Sequence, residues 1–184
     1  LMGVLNNIAT YLDRIAIFHF LGALEVAIYS FAIAPSEQLK GLFKNTSTLA
    51  IPRFSQRSEA ELKNTMLRKM AIMAAIIAAV IFSYIILAPI LFKFLLPKYS
   101  SSIFPSQIFA ISLLGVIANL PVSAMKSLSK IRALYFYNTT SSIISIILIL
   151  ILTPIYGLMG TIMARLISRF LGIFLSLFAL YKIR

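Results

Sequence analysis

Residues 26–53 read VAIYSFAIAPSEQLKGLFKNTSTLAIPR. The stretch is long enough to cross a bilayer yet too polar to be a passive anchor. At about 100° per residue on a helix, Ser36, Glu37, Lys40, Lys44, Ser47 and Thr48 share a sector of about 120°, and Leu39, Leu42, Phe43 and Leu49 fall largely opposite. Such a helix turns its apolar side to lipid or neighbouring helices and its cationic stripe to a wet interior. Each charge inside a spanning helix costs roughly 2.5–3.5 kcal/mol on insertion scales, so the stripe marks a functional position.

The whole chain has the same character. Of its 184 residues, 60% are hydrophobic and 12% are charged. Mean hydropathy is +0.97. This is the composition of a polytopic membrane protein. The net charge of +12 is explained by Lys and Arg gathered in loops on one side of a membrane. No nucleic-acid motif accompanies it, and no nucleic-acid partner is expected. With no Cys and one His, thiolate and multi-His metal sites are excluded. The chain begins at Leu1 in mid-pattern and reads as part of a longer protein.

Hydrophobic runs place six spans at about 1–21, 26–52, 70–92, 104–124, 133–152 and 158–181. The fold class expected is an all-α membrane protein, a six-helix transmembrane bundle; the runs are too long and too little alternating for a β-barrel. Residues 55–69 are expected to be a charged surface loop, partly helical, with Ser58 and Glu61 forming a capping box. The loop 53–69 has five Lys or Arg, the loop 126–132 three and the C-terminal end two. The basic loops and the C-terminus are therefore placed in the cytoplasm.

At 1.5 Å per residue, Lys40 and Lys44 lie about 20 and 13 Å from Arg53, Arg165 and Arg169 about 12 and 18 Å from Gly157, and Arg14 about 12 Å from Gly22. All five approach the middle of a core roughly 30 Å thick. Asp13 and Glu37 are the acids in the same helices, too few to neutralise them. The remaining cations call for water or an anionic ligand. Asp13 and Arg14 point about 100° apart and should serve different neighbours. Glu37 reads as the ion-pair partner of Lys40, with a coupling-cation site as its second reading. His19 reads as a hydrogen-bonded packing residue, with proton coupling second. The polar run 138–142 reads as helix–helix hydrogen bonding.

Four stretches resemble Wzx-type polysaccharide flippases of the multidrug/oligosaccharidyl-lipid/polysaccharide exporter superfamily. They are YLDRIAIFHFLGALEVAIYSFA (11–32), IAPSEQLKGLFKNTSTLAIPRFSQ (33–56), LPKYSSSIFPSQIFAISLL (96–114) and LTPIYGLMGTIMARLIS (152–168), the last with a Pro-x-x-Gly-x-x-Gly pattern. The resemblance implies that residues 1–184 are the C-terminal lobe of a two-lobe transporter in a bacterial or archaeal plasma membrane. The N-terminal lobe would lie outside this chain or come from a second one. It also implies alternating-access transport of an undecaprenyl-pyrophosphate-linked oligosaccharide between membrane leaflets. No cofactor is implied beyond a proton or sodium gradient to drive it. Lys40, Lys44, Arg165, Arg169 and Arg14 would receive the pyrophosphate, and Pro35, Pro89 and Pro121 are candidate bend points. A lipid II flippase is a close rival. A drug or cation antiporter fits less well, because its site should favour acids and aromatics. A membrane glycosyltransferase or ligase lacks acids or His placed for catalysis at a membrane surface, so no enzyme activity is expected.

Overall fold

A computed structural model describes residues 2–49 and 59–183, with the side chains of 11–43, 59 and 61–183. The described residues form helices and no strands. They run as five continuous helical stretches where six separate helices were expected. Three stretches, Glu61–Leu95, Pro97–Ser127 and Ile131–Lys182, are long and apolar enough to cross a membrane.

Helix α1 (Met2–Leu21) and helix α2 (Ala23–Leu49) are separated by Gly22 alone, whose φ of 92° suits a residue without Cβ. Pro35 lies inside α2 and Pro89 inside α3 (Glu59–Leu95). The expected surface loop up to Lys69 is corrected here: its described part, from Glu59, is the start of α3. The reason is a single apolar stripe. Leu62, Met66, Met70, Ile77, Ile81, Tyr84, Ala88 and Phe92 recur every three or four residues, or seven, and all are buried. The charges between them occupy the other faces. Ser58 of the expected capping box lies outside the described residues, as do Arg53 and Arg57.

The fourth stretch opens with a 3₁₀ turn, Pro97–Ser102, and continues as α4 (Ile103–Ile111). A second 3₁₀ segment, Ser112–Ala118, interrupts it before α5 (Asn119–Ser127). Pro121 falls in the first turn of α5, where a missing N–H costs little.

The last stretch, α6 (Ile131–Lys182), contains both of the last two expected spans. Gly157 divides it, with φ 61° and ψ −142°, a region essentially reserved for glycine. The two arms fold back on each other. Thr153 and Thr161 share a hydroxyl hydrogen bond of 2.9 Å across the turn, and the Phe136 and Phe178 rings lie 6.1 Å apart further down. A Cβ at Gly160 would stand 2.0 Å from the Leu152 carbonyl oxygen, so only glycine lets the arms cross this closely.

The bundle has two distinct ends. At one, Gly22 and Gly157 turn the chain, and Ser102 Oγ donates to the Ile28 carbonyl at 3.0 Å. At the other, Glu59 Oε1 accepts from Lys63 and Lys130, each at 2.8 Å. Lys130 Nζ also reaches the Leu180 and Ile183 carbonyls at 3.4 Å, and Tyr181 OH donates to the Lys63 carbonyl at 2.7 Å. Between the ends the outer surface carries exposed Ile76, Phe82, Ile147 and Phe174, as suits a bundle solvated by lipid.

Replacing Gly160 by Ala should lower the thermal unfolding midpoint in detergent, reflecting a loss of about 1–3 kcal/mol from overpacking. Gly41→Ala is the control, since nothing lies within 4 Å of a Cβ added there; equal midpoints for the two variants would refute the close crossing.

The hydrogen bonds from Lys130 and Lys63 hold the Glu59 carboxyl at about 2, below its ordinary 4.5. A depressed carboxyl contributes stability above its ordinary value and loses it as pH falls through the depressed one. The stability gap between wild type and Glu59→Gln should therefore be full at pH 6 and close progressively from pH 4.5 towards 2. A gap independent of pH would mean that the carboxylate is not held by those lysines.

Candidate functional site: a cationic wall between two cavities

Asp13 of α1 is only 3% exposed. Its Oδ2 accepts from Tyr29 OH at 2.6 Å and from Arg165 Nε and Nη2 at 3.1 and 2.8 Å. Arg165 comes from the second arm of α6, 152 positions along the chain. Three helices are thus tied together at one carboxylate. Arg14, the sequence neighbour, gives Asp13 Oδ1 only its backbone N–H, at 2.8 Å, and its side chain is exposed.

One turn further along the same arm, Arg169 makes the second cluster. It donates to Glu37 of α2 and to Ser112 Oγ of the 3₁₀ segment. Its guanidinium lies 4.9 Å from the centre of the Phe109 ring. Lys40 Nζ donates to the other oxygen of Glu37 at 2.9 Å. Close approach makes this arrangement possible. A Cβ at Gly115 would lie 2.6 Å from Arg169 Cβ, so glycine there lets the 3₁₀ segment and α6 meet.

Lys40, Arg165 and Arg169 stand between two cavities. The smaller, of 140 Å³, is lined by these three with both acids, Asp13 and Glu37, and with Arg14 at its edge. The larger, of 190 Å³, is lined by the same three cations and by neither acid. Its remaining wall is rich in hydroxyls: Ser112, Tyr137, Ser141, Ser142, Ser145 and Ser168, with Asn119. Carboxylates therefore lie to one side of the cations and hydroxyls to the other.

The structure brings together Asp13, Glu37, Lys40, Arg165 and Arg169 from the residues singled out in the sequence. It leaves Arg14 at the rim, and the side chain of Lys44 lies outside those described. Lys40, Arg165 and Arg169 are each ion-paired rather than left for water. Three cations meet two carboxylates, leaving one positive charge in excess. His19 is exposed, with its ring 4.9 Å from that of Phe20. Among the described residues, the polar run 138–142 shows no side-chain hydrogen bond to another helix, unlike the expectation. Asn138 donates to Leu134 of its own helix, and Ser141 and Ser142 line the larger cavity.

Tyr29 and the hydroxyl wall belong to the candidate site, and charge alone did not mark them. Tyr137, Ser141 and Ser145 repeat every four residues, which on a helix is one polar stripe, and this is the signal that could have found them. No protein-family model, curated protein or solved structure matches the chain.

Removing one member of a buried ion pair strands the other, at a cost of about 3–5 kcal/mol. Arg165→Met alone should sharply reduce folded yield and stability in detergent. Asp13→Asn combined with Arg165→Met should recover most of that loss. A double variant as unstable as the sum of the singles would show that the two residues do not act as a pair.

Proposed function

We propose that this chain is one six-span lobe of a flippase for lipid-linked oligosaccharides, with the pyrophosphate received at the cationic wall. The observation that carries the reading is the larger cavity. Lys40, Arg165 and Arg169 line it without either acid, in the middle of a bundle whose outer surface is apolar. A phosphate cannot cross hydrocarbon unaided, and a cavity of cations and hydroxyls offers it charge-assisted hydrogen bonds. Arg supplies forked donors to phosphate oxygens, and Lys supplies a mobile point charge.

The motif resemblance supports undecaprenyl pyrophosphate as the carrier, a second lobe as the partner, and a bacterial or archaeal plasma membrane as the location. The clustering of Lys63, Lys126, Lys130, Arg132 and Lys182 towards one end supports a cytoplasmic position for that end. Each of the three cations already rests against a carboxylate, Arg165 on Asp13 and both Lys40 and Arg169 on Glu37. An arriving phosphate takes over donors that the carboxylates had kept in place. Transport by rocking of this lobe against its partner follows the usual logic of a site near the midplane.

The test is surface glycan export in cells whose only copy of the full-length protein carries Lys40→Ala or Arg169→Ala, at matched membrane abundance. Each removed charge-assisted hydrogen bond is worth about 1.5–3 kcal/mol, so export should fall about tenfold or more. Arg132→Ala, exposed at the basic end, should export normally. Unchanged export in both cavity variants would overturn the reading.

A further inference from the structure

We propose that Gln107 is the pin of a hinge in α3 at Pro89, and that α4 ties this pin to Arg169. The inference goes beyond the flippase reading and does not depend on it. It starts from a missing donor. In an unbroken helix the N–H of residue 89 would bond the carbonyl of residue 85, but proline has no N–H. The Ile85 carbonyl is therefore freed within the apolar stretch Glu61–Leu95, where hydrocarbon cannot take the place of water. Gln107 of α4 meets it instead: its Nε2 donates to the Ile85 oxygen at 2.9 Å.

A backbone bond and a side-chain bond differ in what they allow. The ladder of an uninterrupted helix holds that helix straight, whereas proline is where a helix bends. A glutamine from another helix lets go by changing rotamer. Its release leaves the Ile85 carbonyl open and α3 free to bend at Pro89. The contact beside it repeats the arrangement, since Tyr84 OH and Ser106 Oγ share a hydrogen bond. Two consecutive residues of α4 thus grip two consecutive residues of α3, just ahead of the proline.

The other side of α4 faces the cationic wall. Phe109 follows Gln107 by two residues, about 200° round the helix, and the Arg169 guanidinium lies 4.9 Å from its ring centre. Ser112, where α4 passes into the 3₁₀ segment, accepts from Arg169. Gly115 brings that segment against the Arg169 side chain. One helix of nine residues therefore carries the pin on one side and the Arg169 contact on the other. Close-packed elements pass a displacement on instead of absorbing it. Whatever draws the guanidinium off Ser112 loosens α4, and a loosened α4 withdraws Gln107.

Distance measurement between paired spin labels on the full-length protein in detergent micelles tests this. Ile76→Cys and Phe94→Cys put the labels at exposed positions on either side of Pro89, about 27 Å apart along α3. Any other cysteine of the full-length protein is replaced first. The parent protein should give one narrow distance distribution. Gln107→Leu should broaden it and lower the thermal midpoint by about 2 °C or more. Ser112→Ala should broaden it as well. In a Pro89→Ala background both substitutions should leave the distribution narrow, and most of the midpoint loss from Gln107→Leu should vanish. There the restored backbone N–H at position 89 takes the Ile85 carbonyl. If Gln107→Leu alone does not fold, its rescue by Pro89→Ala reads the same dependence. A broad parent distribution, equal losses in both backgrounds, or a double variant that fails to fold would overturn the pin. A distribution that Ser112→Ala leaves narrow would overturn the tie to Arg169. None of these measurements uses a substrate, so their failure leaves the flippase reading untouched.

Discussion

A charge inside an apolar bundle has to be met by another charge or by polar groups, because the surrounding hydrocarbon offers neither. That constraint organises this molecule. Asp13 binds α1 to α2 through Tyr29 and to α6 through Arg165. Glu37 binds α2 to α6 through Arg169. The glycines serve these contacts. Gly157 and Gly160 fold α6 into a tight hairpin, and Gly115 lets the 3₁₀ segment lie against Arg169. Without the hairpin, Arg165 and Arg169 would not be turned back towards the helices that hold their carboxylates.

Placing acids and hydroxyls on opposite sides of the same cations separates two tasks. The carboxylates orient the guanidinium and ammonium groups, fixing their geometry before any ligand arrives. The hydroxyls face a chamber that neither Asp13 nor Glu37 lines. Ser112 stands at the junction, since it accepts from Arg169 and also lines the larger cavity. The 3₁₀ segment that carries it is wound more tightly than the helices on either side.

How far the sequence reaches follows from the range of each force. Hydropathy is local, so the long apolar runs were legible, as was the turn at Thr153–Gly157. Depth along a helix is local too, so Lys40, Arg165 and Arg169 could be placed near the middle. The start of α3 was not legible from charge. The stripe through Leu62, Met66 and Met70 outweighs the polar residues between them, which face outward. Of the pairings only the local one, Glu37 with Lys40, was legible; Asp13 finds Arg165 across 152 positions, and no local rule selects it over adjacent Arg14. Tyr29 carries no formal charge, so its hydrogen bond to Asp13 emerges only when the helices are assembled.

The charge balance bears on how such a site would release what it binds. On the flippase reading, a substrate phosphate must be held firmly enough to leave one leaflet and loosely enough to enter the other. Three fully exposed cations would hold it too well. On that reading the ligand would share Lys40, Arg165 and Arg169 with Asp13 and Glu37, so its hold on them is weakened by the carboxylates already paired there. The excess of one positive charge tilts the exchange towards the anion, and the waiting carboxylates reverse it when the ligand moves on. The ion pairs that make the cations tolerable in hydrocarbon are then the same ones that keep the site from becoming a trap.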